Sequence, residues 1–476
     1  MESRILATWA TIALLALAGC AASPSPAAVL PIATPVPPTV TPRPTATEPP
    51  PTATVVPPTD TPLSTATPVP PSETPAPTAT PTEVPVPPTP TPLGRTPTPL
   101  PTTHTVCAEG CDFTTLQAAL DDANVPAGAV LEVRDALHTE PGIIVSKDVT
   151  IRGLGTTETI VQAHEALSQA PERVFLVELD ASVVLQDMTI RRGSPSLQDE
   201  GGGGIMNRGT LRLEGCVVSG NAANDGAGIY NRGDLTLVNS TVRDNFADGL
   251  APPGYECGSG GGIKSSQGTL TLINSTISGN RAGSKGRGGG GGVFVSCACT
   301  AEFVNSTISG NKAQDDGGGV AVMGTLQMTN CTVSRNTTRL KGGGVYVRGR
   351  ASYVNTIIAD NMAKTDRDCA IGGQGGYKGK GAIGTSSNSL VETGGCDAPY
   401  TGDPLLGPLD DNGGPTQTHS LLPGSPAIDA VSAISCALAT DQRGAPRPVA
   451  QVSPGTPCDL GAVEMQSEPF PGKPET

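Results

Sequence analysis

The stretch NSTISGN occupies Asn274–Asn280 and returns letter for letter at Asn305–Asn311, with a near-copy, NSTVRDN, at Asn239–Asn245. Working outward, longer segments align on it: TLRLEGCVVSGN from Thr210, DLTLVNSTVRDN from Asp234, TLTLINSTISGN from Thr269, AEFVNSTISGN from Ala301, TLQMTNCTVSRN from Thr325 and SYVNTIIADN from Ser352. Each copy closes on an asparagine, at Asn221, Asn245, Asn280, Asn311, Asn336 and Asn361, in steps of 24, 35, 31, 25 and 25 residues. A period of this size marks a solenoid. LTL and STI alternate apolar and polar residues with β-branched types in the apolar places, so they read as short strands. No repeat carries a 3.6-residue apolar stripe, which disfavours helical and leucine-rich repeats.

Between copies lie glycine clusters followed by an apolar pair, as in GAGIYNRG (226–233), GGGVAVMG (317–324) and GGGVYVRG (342–349). Glycine permits left-handed and crowded corners. Each copy thus supplies three short strands and their corners, one coil, and stacked coils rise by about 4.8 Å. The closing asparagines are expected to form a ladder at one corner, because Asn tolerates left-handed backbone and bonds neighbouring backbone groups. NST also matches the N-glycosylation acceptor, but its fixed place in every coil points to a structural role.

The longer steps place their extra residues after the asparagine, in FADGLAPPGYECGSG (246–260) and RAGSKGRGGG (281–290). Insertions at one place in successive coils build one face. That face, near Tyr255, Lys285 and Arg287, is a candidate contact surface; the plainer alternative is a set of solvated loops. Upstream, FTTLQAALDDAN (113–124) has apolar residues at helical spacing and suits the open end of the core. AVLEV (129–133), GIIVSKDVTIRG (142–153), VFLVEL (174–179) and SVVLQDMTIRRG (182–193) read as the first coils.

The other two sections of the chain obey different physics. Of 47 prolines, 28 lie before residue 105. Ala21 to His104, rich in Pro, Thr, Ala and Val, cannot bury enough apolar surface to offset ordering entropy, so a disordered stalk is expected. In polyproline II it would reach up to ~260 Å. Before it, Arg4 precedes an uncharged apolar run, Ile5 to Ala18, too short for a typical span and suited to a secretory signal. The formal net charge is −14 with no basic run, so nucleic acid is a poor partner.

Three resemblances follow from these residues. LAGC (17–20) resembles the bacterial lipobox, which implies lipidation at Cys20, attachment to a membrane through acyl chains and an outward-facing place in the cell envelope; a conventional cleaved signal is the alternative. DFTTLQAALDDA to DVTIRGLG resembles the start of pectin-lyase-like proteins, and the GGG[IV] and [IV]SxN repeats are similar to those of polymorphic outer-membrane proteins. They depart from the latter's usual GGAI and FxxN, and no C-terminal barrel pattern follows. DPLLGPLDDNGGPTQTHSLLPGSPAIDA (403–430), DQRGAPRP (441–448) and CDLGAVE (458–464) resemble the choice-of-anchor Q domain. The fold implied is all-β, a right-handed parallel β-helix solenoid with a short N-terminal capping helix. The expected organisation is a signal with the lipobox cysteine (1–20), stalk (21–104), β-helix (105–385), choice-of-anchor Q-like C-terminal cap (386–466) and disordered tail (467–476).

A glycosidase needs two carboxylates across the scissile bond, one acid and one base or nucleophile. Asp315–Asp316, with Asp225, Asp244 and Asp360 in other coils, are the acids available. The motifs of galacturonases and pectate lyases are absent, and none of His104, His138, His164 or His419 lies in the repeats. Asp315 and Asp316 are expected beside Lys285 and Lys341 in surface charge pairs. DDNG (410–413) hints at calcium but lacks the spacing of an EF-hand loop, so an Asx-rich turn is the better reading. No catalytic residue, cofactor or metal is assigned. Among the cysteines, Cys107–Cys111, Cys369–Cys396 and Cys436–Cys458 are plausible pairs, and Cys257 suits Cys297 or Cys299. Cys216 and Cys331 share a repeat position four coils apart, ~19 Å, and are expected to remain buried thiols. The reading is a non-catalytic surface protein for adhesion or polysaccharide binding. Its rivals are a carbohydrate-active enzyme of the pectin-lyase-like kind and a purely structural envelope component.

Overall fold

The computed structural model describes residues 101–196, 201–248, 258–283, 289–373, 381–436, 438–448 and 455–466, which fall in one compact unit. The signal, Cys20 and nearly all of the stalk lie outside the described residues.

Alternation decides the strands. In TLTLI (269–273), Leu270 and Leu272 are fully buried while their neighbours are not. One coil shows the course of the chain. Cys299–Val304 joins sheet A, Thr307–Ser309 sheet B, Lys312–Ala313 the short sheet D and Val320–Val322 sheet C, before Thr325–Thr329 returns to sheet A. Among the described residues, sheets A, B, C and D have eleven, ten, nine and five parallel strands. Register is repeat on repeat: Ile277 pairs with Ile308, and Ile308 with Val333. This is a parallel β-helix. The sequence suggested three strands per coil, and the structure has a fourth in five of them. Sheet D consists of dipeptides such as Arg281–Ala282, too short to show any periodicity.

A continuous apolar core runs from Val106 to Cys396, with Phe175, Phe303 and Tyr353 wholly enclosed. Its N-terminal end is covered by the helix Leu116–Asp121, which buries Leu116, Ala119 and Leu120. Thr115 caps the helix, and the Glu140 carboxylate accepts from the Leu116 and Gln117 amides at 2.8 and 2.9 Å, satisfying donors that a helix start leaves open.

The repeated phrase divides its labour residue by residue. Asn305 takes φ 45° and turns the chain out of sheet A. The Ser306 hydroxyl points inward, donates to the Val304 carbonyl at 2.8 Å and accepts from the Ser275 amide at 3.2 Å. Thr307–Ser309 forms the strand. Gly310, at φ 66°, makes the second left-handed corner. Asn311 then turns its side chain into the stack. The expectation that the closing asparagines are themselves left-handed is corrected: the left-handed residue is the one before each, as with Asp244, Arg335 and Asp360, and the asparagine that opens the phrase.

The tail is also corrected. Val391, Cys396 and the partly buried Ala398 finish the main core. From Asp403 onward, however, the chain does not cap that end. It folds back along the outer face of sheet B. Arg335 donates to the Gly407 carbonyl at 3.0 Å, His419 meets Ser309 at 2.8 Å, Gln442 meets Thr276 and Thr307 at 2.9 and 2.7 Å, and Ala462 donates to Thr332 at 3.0 Å. Leu406, Leu421, Val431 and Leu460 build a second small core with Ile357 and Ala359. The physical reason is the row Thr276, Thr307, Thr332: short hydroxylated side chains leave a flat face whose polar atoms a returning strap can satisfy. Cys436–Cys458 staples the strap, Cys369–Cys396 the coil end and Cys107–Cys111 the first loop.

Candidate functional site

The six closing asparagines lie inside the wall of the solenoid. The Asn221 side-chain amide donates to Asn245 at 3.0 Å, Asn245 to Asn280 at 2.9 Å, Asn280 to Asn311 at 3.0 Å, Asn311 to Asn336 at 2.9 Å and Asn336 to Asn361 at 3.0 Å. Asn361 passes the ladder to Asp368 at 3.1 Å. All six are at most 3% exposed, so the ladder meets no ligand. The glycine clusters fit against it: a Cβ on Gly319 would stand 2.7 Å from the Gly344 carbonyl and 3.0 Å from Asn336.

The coil's outer faces differ sharply. The strands of sheet B from Thr276–Ser278 to Ile357–Ala359 are covered by the strap. On sheet C, Lys264 lies 5.6 and 5.7 Å from the Tyr230 and Phe294 ring centres and 3.0 Å from Asp225, so its charge is already engaged. Sheet D is open. Its outward row reads Phe246, Arg281, Lys312, Thr337 in strict register. The Arg281 guanidinium lies over the Phe246 ring at 5.3 Å. Beside the row is a cleft of about 290 Å³ lined, among the described residues, by Arg281, Lys312, Gln314, Thr337 and Arg339 with Ala282 and Ala313 as its floor. Arg281, Lys312 and Arg339 are exposed, and none forms an ion pair with a described carboxylate. Exposed Met362 and Leu340 border the far end.

This cleft adjoins the insertion face expected from the uneven steps. Tyr255, Lys285, Arg287 and Cys257 themselves lie outside the described residues. Sequence reasoning missed Lys312 and Arg339, which belong to coils of minimal length and come beside Arg281 only when the coils stack. A comparison of the residue after each ladder asparagine would have shown Lys312 beside Arg281, but not Arg339, which lies three residues after Asn336.

The acids singled out in separate coils do not converge on one another, although the Asp360 amide donates to Glu392 at 2.7 Å and Asp368 and Asp403 lie near that pair. Asp244 and Asp360 share a repeat position four coils apart, ~19 Å, and pair with Arg243 and Arg335 at 2.8 and 3.9 Å. Asp225 holds Lys264. Asp316 accepts from the Lys341 backbone amide at 3.0 Å rather than pairing with its ammonium group, and Lys285 lies outside the described residues. Burial, then the neighbouring Asp315, holds the Asp316 carboxyl above the usual range. At 410–413, the Asp411 carboxylate accepts from the Gly413 amide at 3.0 Å, the bond of an Asx turn, and Asp410 accepts from the Asp411 amide at 2.8 Å. His138 bridges Asp135 and Glu140 beside the capping helix, and His419, in the strap, is buried against Ser309 of sheet B. Cys216 and Cys331 are buried thiols, pushed up to about 12 by burial.

Residues 175–308 match the family model described as right handed beta helix region, which agrees with the coils seen here and gives their hand. No curated protein matches in sequence. Among solved structures, pectate lyase Pel9A is 12% identical with TM-score 0.46, covering 77% of this chain and 96% of its own. An alginate lyase from Paenibacillus sp. str. FPU-7 is 14% identical with TM-score 0.32, covering 57% and 98%. A pectin methylesterase in complex with a hexasaccharide is 12% identical with TM-score 0.27, covering 67% and 85%. At such values nothing about activity carries across.

Proposed function

We propose that this protein is a non-catalytic binding protein of the cell envelope, anchored through lipid on Cys20, that holds an extended glycan along its coils. The observation that carries the reading is the sheet D cleft. Among the described residues it is uncovered, it crosses successive coils, and it offers a ring, a hydroxyl, an amide and cations in a row, the mixture that suits an elongated polar ligand. The separation of Asp225, Asp244 and Asp316 supports binding over glycoside hydrolysis, which needs two carboxyls across one bond.

The test is to incubate the whole chain with a glycan panel and to read both co-sedimentation and new chain ends. Retention without new ends supports the reading; no retention of any glycan removes it. A second reading has one observation in its favour: Asp316, raised by burial and Asp315, adjoins the coil corner that carries the cleft, and shifted carboxyls cluster at catalytic sites. New ends that vanish in Asp316→Asn or Asp315→Asn would make the protein a depolymerase. For the anchor, Cys20→Ala is expected to shift the protein out of the detergent phase; retention there places the attachment elsewhere.

A further inference from the structure

Resting on that binding reading, we infer that the sheet D cleft selects a linear polyanionic glycan, one bearing a carboxylate or sulfate along its length, laid parallel to the solenoid axis across Arg281, Lys312 and Arg339.

The three cations sit on three successive coils. Arg281 and Lys312 are register partners, and Arg339 follows Thr337, the register partner of Lys312, by two residues. The row therefore presents about one positive charge per ~4.8 Å of axis. A compact anion would meet only one or two of these charges. A polymer with repeated negative groups meets all three, and each contact after the first is made at high local concentration.

No described carboxylate takes up these charges. A chain of net charge −14 carries 44 acidic residues, and many of its cations find carboxylates, such as Lys264 with Asp225, Arg152 with Glu132 and Arg447 with Glu464. Arg281, Lys312 and Arg339 make no such pair with a described carboxylate. Repulsion by the rest of the surface disfavours a polyanion everywhere except where such a row offsets it. The Phe246 ring, 5.3 Å from the Arg281 guanidinium, supports it without using its donors. The exposed Met362 and Leu340 suit the less polar face of a sugar ring.

The experiment uses the whole chain with polygalacturonate, dextran sulfate and uncharged dextran. Expected is retention of a polyanion but not of dextran, with retention falling as salt rises through the range where exposed charges are screened. The variant Arg281→Gln/Lys312→Gln is expected to weaken polyanion binding roughly tenfold, the sum of two exposed charge contacts. Arg281→Lys/Lys312→Arg is expected to keep most of it. Both residues are exposed, so unchanged thermal unfolding serves as the check on folding. Retention of one polyanion alone identifies the anionic group. Equal retention of dextran, or a double glutamine variant that binds as before, overturns the inference while leaving glycan binding intact. Failure of every glycan overturns the binding reading itself.

Discussion

Asn311 and Asn336 are joined twice: the Asn311 backbone amide donates to the Asn336 side-chain carbonyl at 3.0 Å, and the Asn311 side-chain amide donates to the same oxygen at 2.9 Å. The Asn311 side chain also donates to the Ile277 carbonyl at 2.9 Å, while its own oxygen serves Asn280 in the same double manner. Truncation at Asn311 therefore strands several groups inside a dry wall. Asn311→Ala is expected to cost roughly 3 kcal/mol, several buried groups losing partners together. Urea unfolding followed by circular dichroism checks this, and a midpoint near wild type would show the ladder to be decoration.

Two glycines separate conformational from steric demand. Gly220 has φ 62° with nothing near a Cβ, so Gly220→Ala should cost about 1 kcal/mol from the left-handed backbone alone. Gly319 has ordinary φ, but its Cβ would press on the Gly344 carbonyl and Asn336, neither of which can retreat without breaking the ladder. Gly319→Ala is expected to lower the thermal midpoint more than Gly220→Ala, and the reverse order would contradict the packing described.

His419 gives the strap a pH dependence. Its Nδ1 lies 2.8 Å from the Gly407 carbonyl, which can only accept, so Nδ1 carries the proton and Nε2 accepts from Ser309 at 2.8 Å. Burial, with Arg335 nearby, lowers its pKa from 6.5 to about 4. A depressed folded-state value means that the unfolded state binds the extra proton first. The contribution is fully present above pH 6.5 and is lost as pH falls toward 4, at most roughly 3 kcal/mol. Glu464, raised to about 7 by burial, acts in the opposite direction, its contribution fading as pH rises from 4.5 through 7. His419→Gln should flatten the acid limb of strap opening, read by hydrogen exchange across 403–448. An unchanged limb would exclude His419 as its source.

The strap and the coils should separate under reduction. Removing Cys436–Cys458, which closes a 22-residue separation, is expected to cost about 3 kcal/mol in the strap. Limited proteolysis of the Cys436→Ser/Cys458→Ser variant should cut within 403–466 while the coils persist, because the main core is continuous without those residues. Simultaneous loss of both would mean that the strap holds the solenoid together.

The sequence by itself determined the solenoid. A repeated phrase with apolar residues at period two, closing each time on Asn, leaves coil on coil as the arrangement that buries Leu270 above Ala301 and Ile277 above Ile308. That information is local and recurs, so it is readable one coil at a time. What only the tertiary structure decided depends on residues far apart in the chain. The ledge of Arg281, Lys312 and Arg339 exists because stacking brings residues about 25 to 31 positions apart to neighbouring coils, and the dipeptides that carry it have no period of their own. The strap's course was equally hidden. Thr416 finds Asn274, and Gln442 finds Thr276, across 142 and 166 residues, contacts set by complementary shape and hydrogen bonds rather than by any pattern along the chain.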